Sequence, residues 1–178
     1  MHKKRTHPVL LVRPASSCRR RGVLQAGILR LPCALGRGGT SIFKREGDGA
    51  TPVAKMQLMQ MFRRDRRLAQ VRSALPGRGI RQDDGWCDAP QHPAYNRPVR
   101  LPFAASAEAM RRHDHLYDLV IVLDWNVRQR LRGRGSAIFL HCAKSGYEPT
   151  AGCIAIAPRD FIRLQAYLRP GVALEVRR

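Results

Sequence analysis

Five apolar residues in unbroken succession, Leu119-Val-Ile-Val-Leu123, constrain this chain more than any other segment. The run is too short for a helix of ordinary length, and its three central residues are β-branched. A strand without polar alternation has both faces buried, so structure must cover it on each side. At 178 residues, with 44% hydrophobic residues, the chain can bury one sizeable core of this kind. The other segments agree with a strand-rich domain. Val23–Leu29 and Leu31–Leu35, ended by Gly36-Arg-Gly-Gly39, read as a hairpin or two short strands, and Val53–Phe62 reads as a strand entered through Thr51-Pro52. Asp124-Trp-Asn126 is expected to turn the central strand, with Val127–Arg132 returning beside it. Ser136–His141 follows as a further strand, and Val172–Val176 as the last.

Two short helices are expected. Ser106 is a good N-cap for Ser106–His113, and Pro158 suits the first position of Pro158–Leu168, which Pro170-Gly171 stops. Residues 72–104 carry Pro and Gly at positions that break any period, so they read as a long loop with a functional role. The fold class is therefore mainly β, a sandwich or distorted barrel with two short helices.

Charge is uneven. The chain has 33 Lys and Arg against 13 Asp and Glu, a net charge of +20, and no acid precedes Glu46. Residues 1–20 are expected to form a basic arm without fixed structure, leaving 21–178 as the folded domain. Such an excess calls for an anionic partner. Arg63-Arg-Asp-Arg-Arg67 would suit nucleic-acid phosphates, but the few aromatics do not interleave with basic runs as a stacking platform requires, so nucleic acid is disfavoured. Val9–Val12 is too short for the apolar region of a signal peptide, and no apolar run is long enough to span a membrane. The five cysteines form no C-x-x-C pair, which argues against a disulfide framework. His141, Cys142 and Cys153 could be soft metal ligands, yet adjacent strand residues point to opposite faces, so no metal is expected.

The chemistry lies in one stretch. His141 stands where a strand gives way to a loop, and Gly152-Cys153 follows twelve residues later. A thiol is a nucleophile only as thiolate, and an imidazole is the usual agent that takes its proton. A glycine just before the cysteine permits a tight turn whose N–H groups, at Gly152 and Cys153, can face an oxyanion. His141 is thus the candidate base and Cys153 the candidate nucleophile, with a backbone carbonyl as the group that fixes the histidine tautomer.

This run, His141 with Thr150-Ala-Gly-Cys153-Ile154, resembles the signature of the L,D-transpeptidase family with the YkuD-type catalytic domain. Gly47-Asp-Gly-Ala-Thr51-Pro52 resembles the family's early segment. Asp83-Asp-Gly-Trp86-Cys-Asp88 and Tyr95-Asn96-Arg97-Pro98 resemble the substrate-side insertion of a proteobacterial branch. The resemblance covers residue 21 to the C-terminus. It implies an acyltransferase acting on peptidoglycan stem peptides in the cell envelope or periplasm, without cofactor, through a thioester at Cys153. D-Ala would leave and a second stem's amine would form a cross-link, or water would make the enzyme an L,D-carboxypeptidase. Thr150, Tyr95, Arg97, Arg159 and Trp86 become candidate substrate-binding residues. Two positions depart from the family pattern: Cys142 follows the histidine in place of Gly, and Ala155 stands where Arg is usual. Arg159 or Arg97 is expected to supply that guanidinium. An inactive peptidoglycan-binding relative and a basic nucleic-acid-binding protein are the alternative readings.

Overall fold

A computed structural model describes residues 8–178. Its strands are β1 (Val9–Ala15), β2 (Cys18–Ala26), β3 (Leu29–Ala34), β4 (Thr40–Ser41), β5 (Thr51–Pro52), β6 (Lys55–Arg63), β7 (Gly77–Gly79), β8 (Asp84–Cys87), β9 (Pro98–Arg100), β10 (Ala107–Ala109), β11 (Leu119–Leu123), β12 (Phe139–Cys142), β13 (Ile154–Ile156) and β14 (Ala173–Val176). One α-helix, α1 (Pro158–Leu164), runs on into a 3-10 turn at Gln165–Tyr167. No helix among the described residues is long and apolar enough to cross a membrane.

The main sheet closes on itself. Its order is β11-β12-β13-β3-β2-β1-β14-β6-β7, and β6 also pairs back onto β11. All five residues of β11 are buried, as the unbroken apolar run requires, because β12 and β6 flank it and side chains cover both faces. One set of alternate residues, including Leu10, Leu24, Leu58, Ile121, Leu140, Ile154 and Leu174, fills the barrel, with Phe161 and Leu164 of α1 packed onto the same core. The opposite set on β6, β11 and β12, Phe62, Val120, Val122 and Phe139, forms a second core with Trp86, Ile80, Met110 and Tyr117 from outside the barrel. The fold is a distorted barrel with an outer wall laid over one side.

Four expectations are corrected. The basic arm is not without structure: β1 begins at Val9 and pairs antiparallel with β2 and parallel with β14. Leu10 and Val12 are fully buried while Arg13 is exposed, so the charge describes only the solvent-facing side chains and leaves the backbone free to pair. Residues 1–7 lie outside the described region. Ser106–His113 forms no helix, because β10 pairs with β8 in register Glu108 to Trp86, and that pairing overrides local propensity. Only one of the two expected helices therefore forms. Val127–Arg132 is a turn, not a strand. Asn126 organises it, its Nδ2 donating to the Leu131 and Gly135 carbonyls and its Oδ1 accepting from the Leu131 N–H. Within residues 72–104, β8 and β9 join β10 in a separate three-stranded sheet, which supplies the outer wall.

Candidate active site

Strand parity decides which side chains meet. On β12, Leu140 and Cys142 enter the barrel core, so Phe139 and His141 face outward beneath the added wall. The neighbouring β13 runs parallel, with His141 opposite Ala155. Ile154 and Ile156 point into the barrel, which puts Cys153 and Ala155 on the same outward face as His141. A cavity of about 390 Å³ opens there, and His141, Cys153, Thr150, Gly152 and Ala155 all line it.

The turn that carries the cysteine is braced from below. Gly152 has φ +140°, a conformation that L side chains rarely adopt, and a Cβ there would lie 3.0 Å from the Ala50 carbonyl oxygen. The Thr150 hydroxyl accepts from the Gly152 N–H at 3.1 Å and donates to the Cys153 carbonyl at 2.7 Å. Thr51 reaches the same carbonyl, and its Oγ accepts from the Gly36 N–H. The Gly-Asp-Gly-Ala-Thr51 segment thus packs under the turn that carries Cys153. Asp48 shapes it by accepting from the Arg45 and Ala50 N–H groups and from Lys44 Nζ.

Both side chains are buried, at 8% exposure for Cys153 and 5% for His141. Burial, and secondarily the charge of Glu108, pushes the Cys153 thiol up to about 12. Burial pushes His141 down to about 4. At neutral pH the pair therefore rests as thiol and neutral imidazole. His141 Nδ1 lies 2.9 Å from the Cys142 carbonyl oxygen. A carbonyl can only accept, so Nδ1 carries the proton and Nε2 holds the free lone pair. Cys153 Sγ donates to the Ala137 carbonyl at 3.2 Å and accepts from the Phe139 N–H at 3.3 Å. The Tyr117 ring meets the imidazole edge to face at 5.3 Å.

The histidine shift has a consequence for stability. Unfolded chain binds a proton at 6.5 where folded chain resists until about 4, so stability is full above pH 6.5 and falls as pH drops towards 4. The full gap corresponds to about 3 kcal/mol. Urea titrations at pH 7 and pH 4.5 are expected to show that loss, and His141→Gln is expected to flatten it. An equal pH slope in the variant would show that other groups govern the acid limb.

The remaining candidates lie elsewhere. Trp86 and Tyr95 are each only 2% exposed and do not line the cavity. Trp86 Nε1–H donates to Asn96 Oδ1, which also accepts from the Ala137 N–H, and the Tyr95 hydroxyl donates to Glu46. They build the wall behind the site. Arg97 and Arg159 are exposed and also lie outside the cavity lining. The Thr150 hydroxyl is taken up by the turn. The Gly152 N–H is engaged by Thr150, leaving the Cys153 N–H as the member of the expected oxyanion pair without that bond.

The cavity also holds residues that the sequence did not single out: Arg112, Tyr117, Glu108 and Arg37. Arg112 is ion-paired with Asp114 at 2.8 Å and stands over the Tyr117 ring at 5.2 Å. The Tyr117 hydroxyl donates to Glu108. The clearest signal for Glu108, Arg112 and Tyr117 was the length of the segment before β11, which exceeds what a connection needs; nothing in the sequence marked Arg37.

The sequence profile of the YkuD family, described as the L,D-transpeptidase catalytic domain, matches residues 12–176. No curated protein matches the chain at a significant level. Among solved structures, Bdellovibrio bacteriovorus Bd1075 is similar at 14% identity with a TM-score of 0.49, over 97% of this chain and 48% of that one. Mycobacterium tuberculosis L,D-transpeptidase 1 is similar at 13% identity with a TM-score of 0.40, over 95% of this chain and 62% of that one. The chain thus spans about half the length of the first and under two thirds of the second. With the profile extending from the β1 strand to the β14 strand, this chain belongs to the YkuD family of L,D-transpeptidase catalytic domains.

Proposed function

We propose that the chain performs cysteine-dependent acyl transfer on peptidoglycan stem peptides in the cell envelope, with Cys153 as nucleophile and His141 as base. The observation that carries this reading is that the Cys153 and His141 side chains line one cavity, with imidazole Nδ1 2.9 Å from the Cys142 carbonyl oxygen. In the first step Sγ attacks the carbonyl carbon before the terminal D-Ala while His141 Nε2 takes the thiol proton. Proton transfer must accompany attack, since a thiol held near 12 supplies almost no thiolate at neutral pH. The oxyanion is met by the Cys153 N–H. The C–N bond then breaks, the imidazolium returns its proton to the departing amine, and D-Ala leaves a thioester on Cys153. A stem-peptide amine, or water, attacks that thioester, His141 takes the incoming proton, and the thiol is restored.

Mass spectrometry of the intact chain and of muropeptides, after mixing with disaccharide tetrapeptide, tests the reading. An adduct at Cys153 with D-Ala release is expected, with peptide-linked dimers if amine acceptors compete with water. A folded chain that forms no adduct and releases no D-Ala would refute it.

A further inference from the structure

Large apolar side chains standing in solvent are few among the described residues: Val23, Ile28, Ile42, Phe43 and Leu131. Taken singly such residues need no explanation. Ile42, Phe43 and Leu131, however, fall on two loops that touch, residues 42–48 and 124–135, at the end of the barrel where β6 begins and β11 ends. The Glu46 N–H donates to the Gly133 carbonyl at 2.8 Å, and the Lys44 side chain lies against Gly135. Phe43 is 72% exposed and Leu131 54%, so neither is spent on the core. Apolar surface gathered at one end of a domain marks a place of contact.

The same loops are rich in arginine. Arg45, Arg128, Arg132 and Arg134 are exposed and Arg130 is half-buried. Among the described residues none of these five is ion-paired. The acids of the two loops are already engaged: Glu46 accepts from the Tyr95 hydroxyl, Asp48 pairs with Lys44 at 2.7 Å, and Asp124 accepts from the Gln57 N–H at 2.7 Å. A second cavity, of about 340 Å³, opens at this end, where Lys55, Arg128 and Arg134 outnumber the carboxylate of Asp124. Trp125 and Leu131 give it an apolar side, and the indole N–H is taken up by the Arg134 carbonyl at 2.9 Å.

A fitting partner is anionic at its surface and apolar just beneath. Nucleic acid offers phosphate, but it has no apolar layer into which Ile42 and Leu131 could pass. A bilayer of anionic phospholipid has both: phosphate oxygens that guanidinium groups meet two at a time, and acyl chains below them. We propose that this end of the barrel is a docking surface for an anionic phospholipid bilayer. Ile42, Phe43 and Leu131 enter the headgroup layer, and Lys55, Arg128 and Arg134 take lipid phosphate at the second cavity. Glu46 and Gly47 also line the cavity beside Cys153, so the docked chain holds that cavity next to the lipid. The docking does not depend on acyl transfer.

Co-sedimentation of the chain with vesicles, of phosphatidylcholine alone or mixed with phosphatidylglycerol, tests this at neutral pH and physiological salt. Binding is expected to the mixed vesicles and not to phosphatidylcholine alone. Arg128→Gln/Arg134→Gln is expected to weaken it about thirtyfold and Ile42→Ser/Phe43→Ser about tenfold. Arg72→Gln/Arg169→Gln removes the same charge as the first pair from exposed positions beside α1, where the Arg72 N–H donates to Gln165, and is expected to bind as wild type does. These side chains lie on the surface, and circular dichroism verifies that each variant is folded. Equal losses in both arginine pairs would mean that total charge alone holds the chain to the vesicles, and would overturn the docking surface. So would failure to bind mixed vesicles, or an Ile42→Ser/Phe43→Ser chain that binds them undiminished. Retention of a DNA duplex by a chain that ignores vesicles would assign the arginines to nucleic acid instead.

Discussion

Cys153→Ser is expected to take turnover below detection with little effect on the fold. The hydroxyl can keep both contacts the sulfur makes, to the Ala137 carbonyl and from the Phe139 N–H, but its far weaker acidity leaves His141 nothing it can deprotonate at useful rate. Cys153→Ala should lose activity equally and in addition leave those two backbone groups without a partner, at a cost of about 1–3 kcal/mol. His141→Gln complements both. Removing a positioned base is expected to lower acylation by about 10²–10⁴-fold. What remains should climb with pH, because only thiolate formed by direct ionisation of a group held near 12 can attack. Release of D-Ala followed from pH 6 to 10 checks this. A His141→Gln chain with wild-type rate and a flat profile would mean that another group accepts the proton.

The largest loss of stability is expected from Phe139→Ala. Phe139 is fully buried on β12, between Trp86 at 5.3 Å and Tyr117 at 6.0 Å, both edge to face. It is the side chain by which the outer wall seats on the barrel, and its N–H also contacts the cysteine sulfur. Truncating such a residue costs about 3–5 kcal/mol, a large share of the roughly 5–15 kcal/mol that holds a domain folded. The urea midpoint should fall by a matching amount with unchanged slope, and acyl transfer should weaken beyond the change in folded fraction. Cys142→Ala, on the opposite face of the same strand, loses only a sulfur from the barrel core and should cost about 1 kcal/mol. If the two variants melted alike, the wall would not depend on Phe139.

How far the sequence disclosed this site follows from where its parts lie along the chain. His141 lies on β12 and Cys153 immediately precedes β13, the parallel neighbour of β12, so the two stand within one short stretch of sequence whose spacing could be read directly. The same holds for β11, whose apolar run has no other stable setting. Arg112, Glu108 and Tyr117 were not visible, because the barrel face brings them to Cys153 and no local period marks them. Trp86 and Tyr95 drew attention as aromatic residues in a substrate-like segment, yet a buried indole or phenol needs one polar partner, and Asn96 and Glu46 provide it inside the wall. The helix expected at Ser106–His113 failed because propensity there is weaker than cross-strand pairing to Trp86. The β1 strand was hidden by arginines that say where side chains point and nothing about whether the backbone pairs.

The parallel pairing of β1 with β14, Val9 opposite Ala173 and Val12 opposite Val176, sets an order of events during synthesis. Until residue 176 has left the ribosome, β1 and β6 each lack the neighbour that joins them, and the sheet is an open ribbon with two unsatisfied edges. The contact that seals it joins residues 164 positions apart, 173 minus 9, and is therefore among the slowest to form, so the unsealed ribbon is the aggregation-prone species on the way to the barrel.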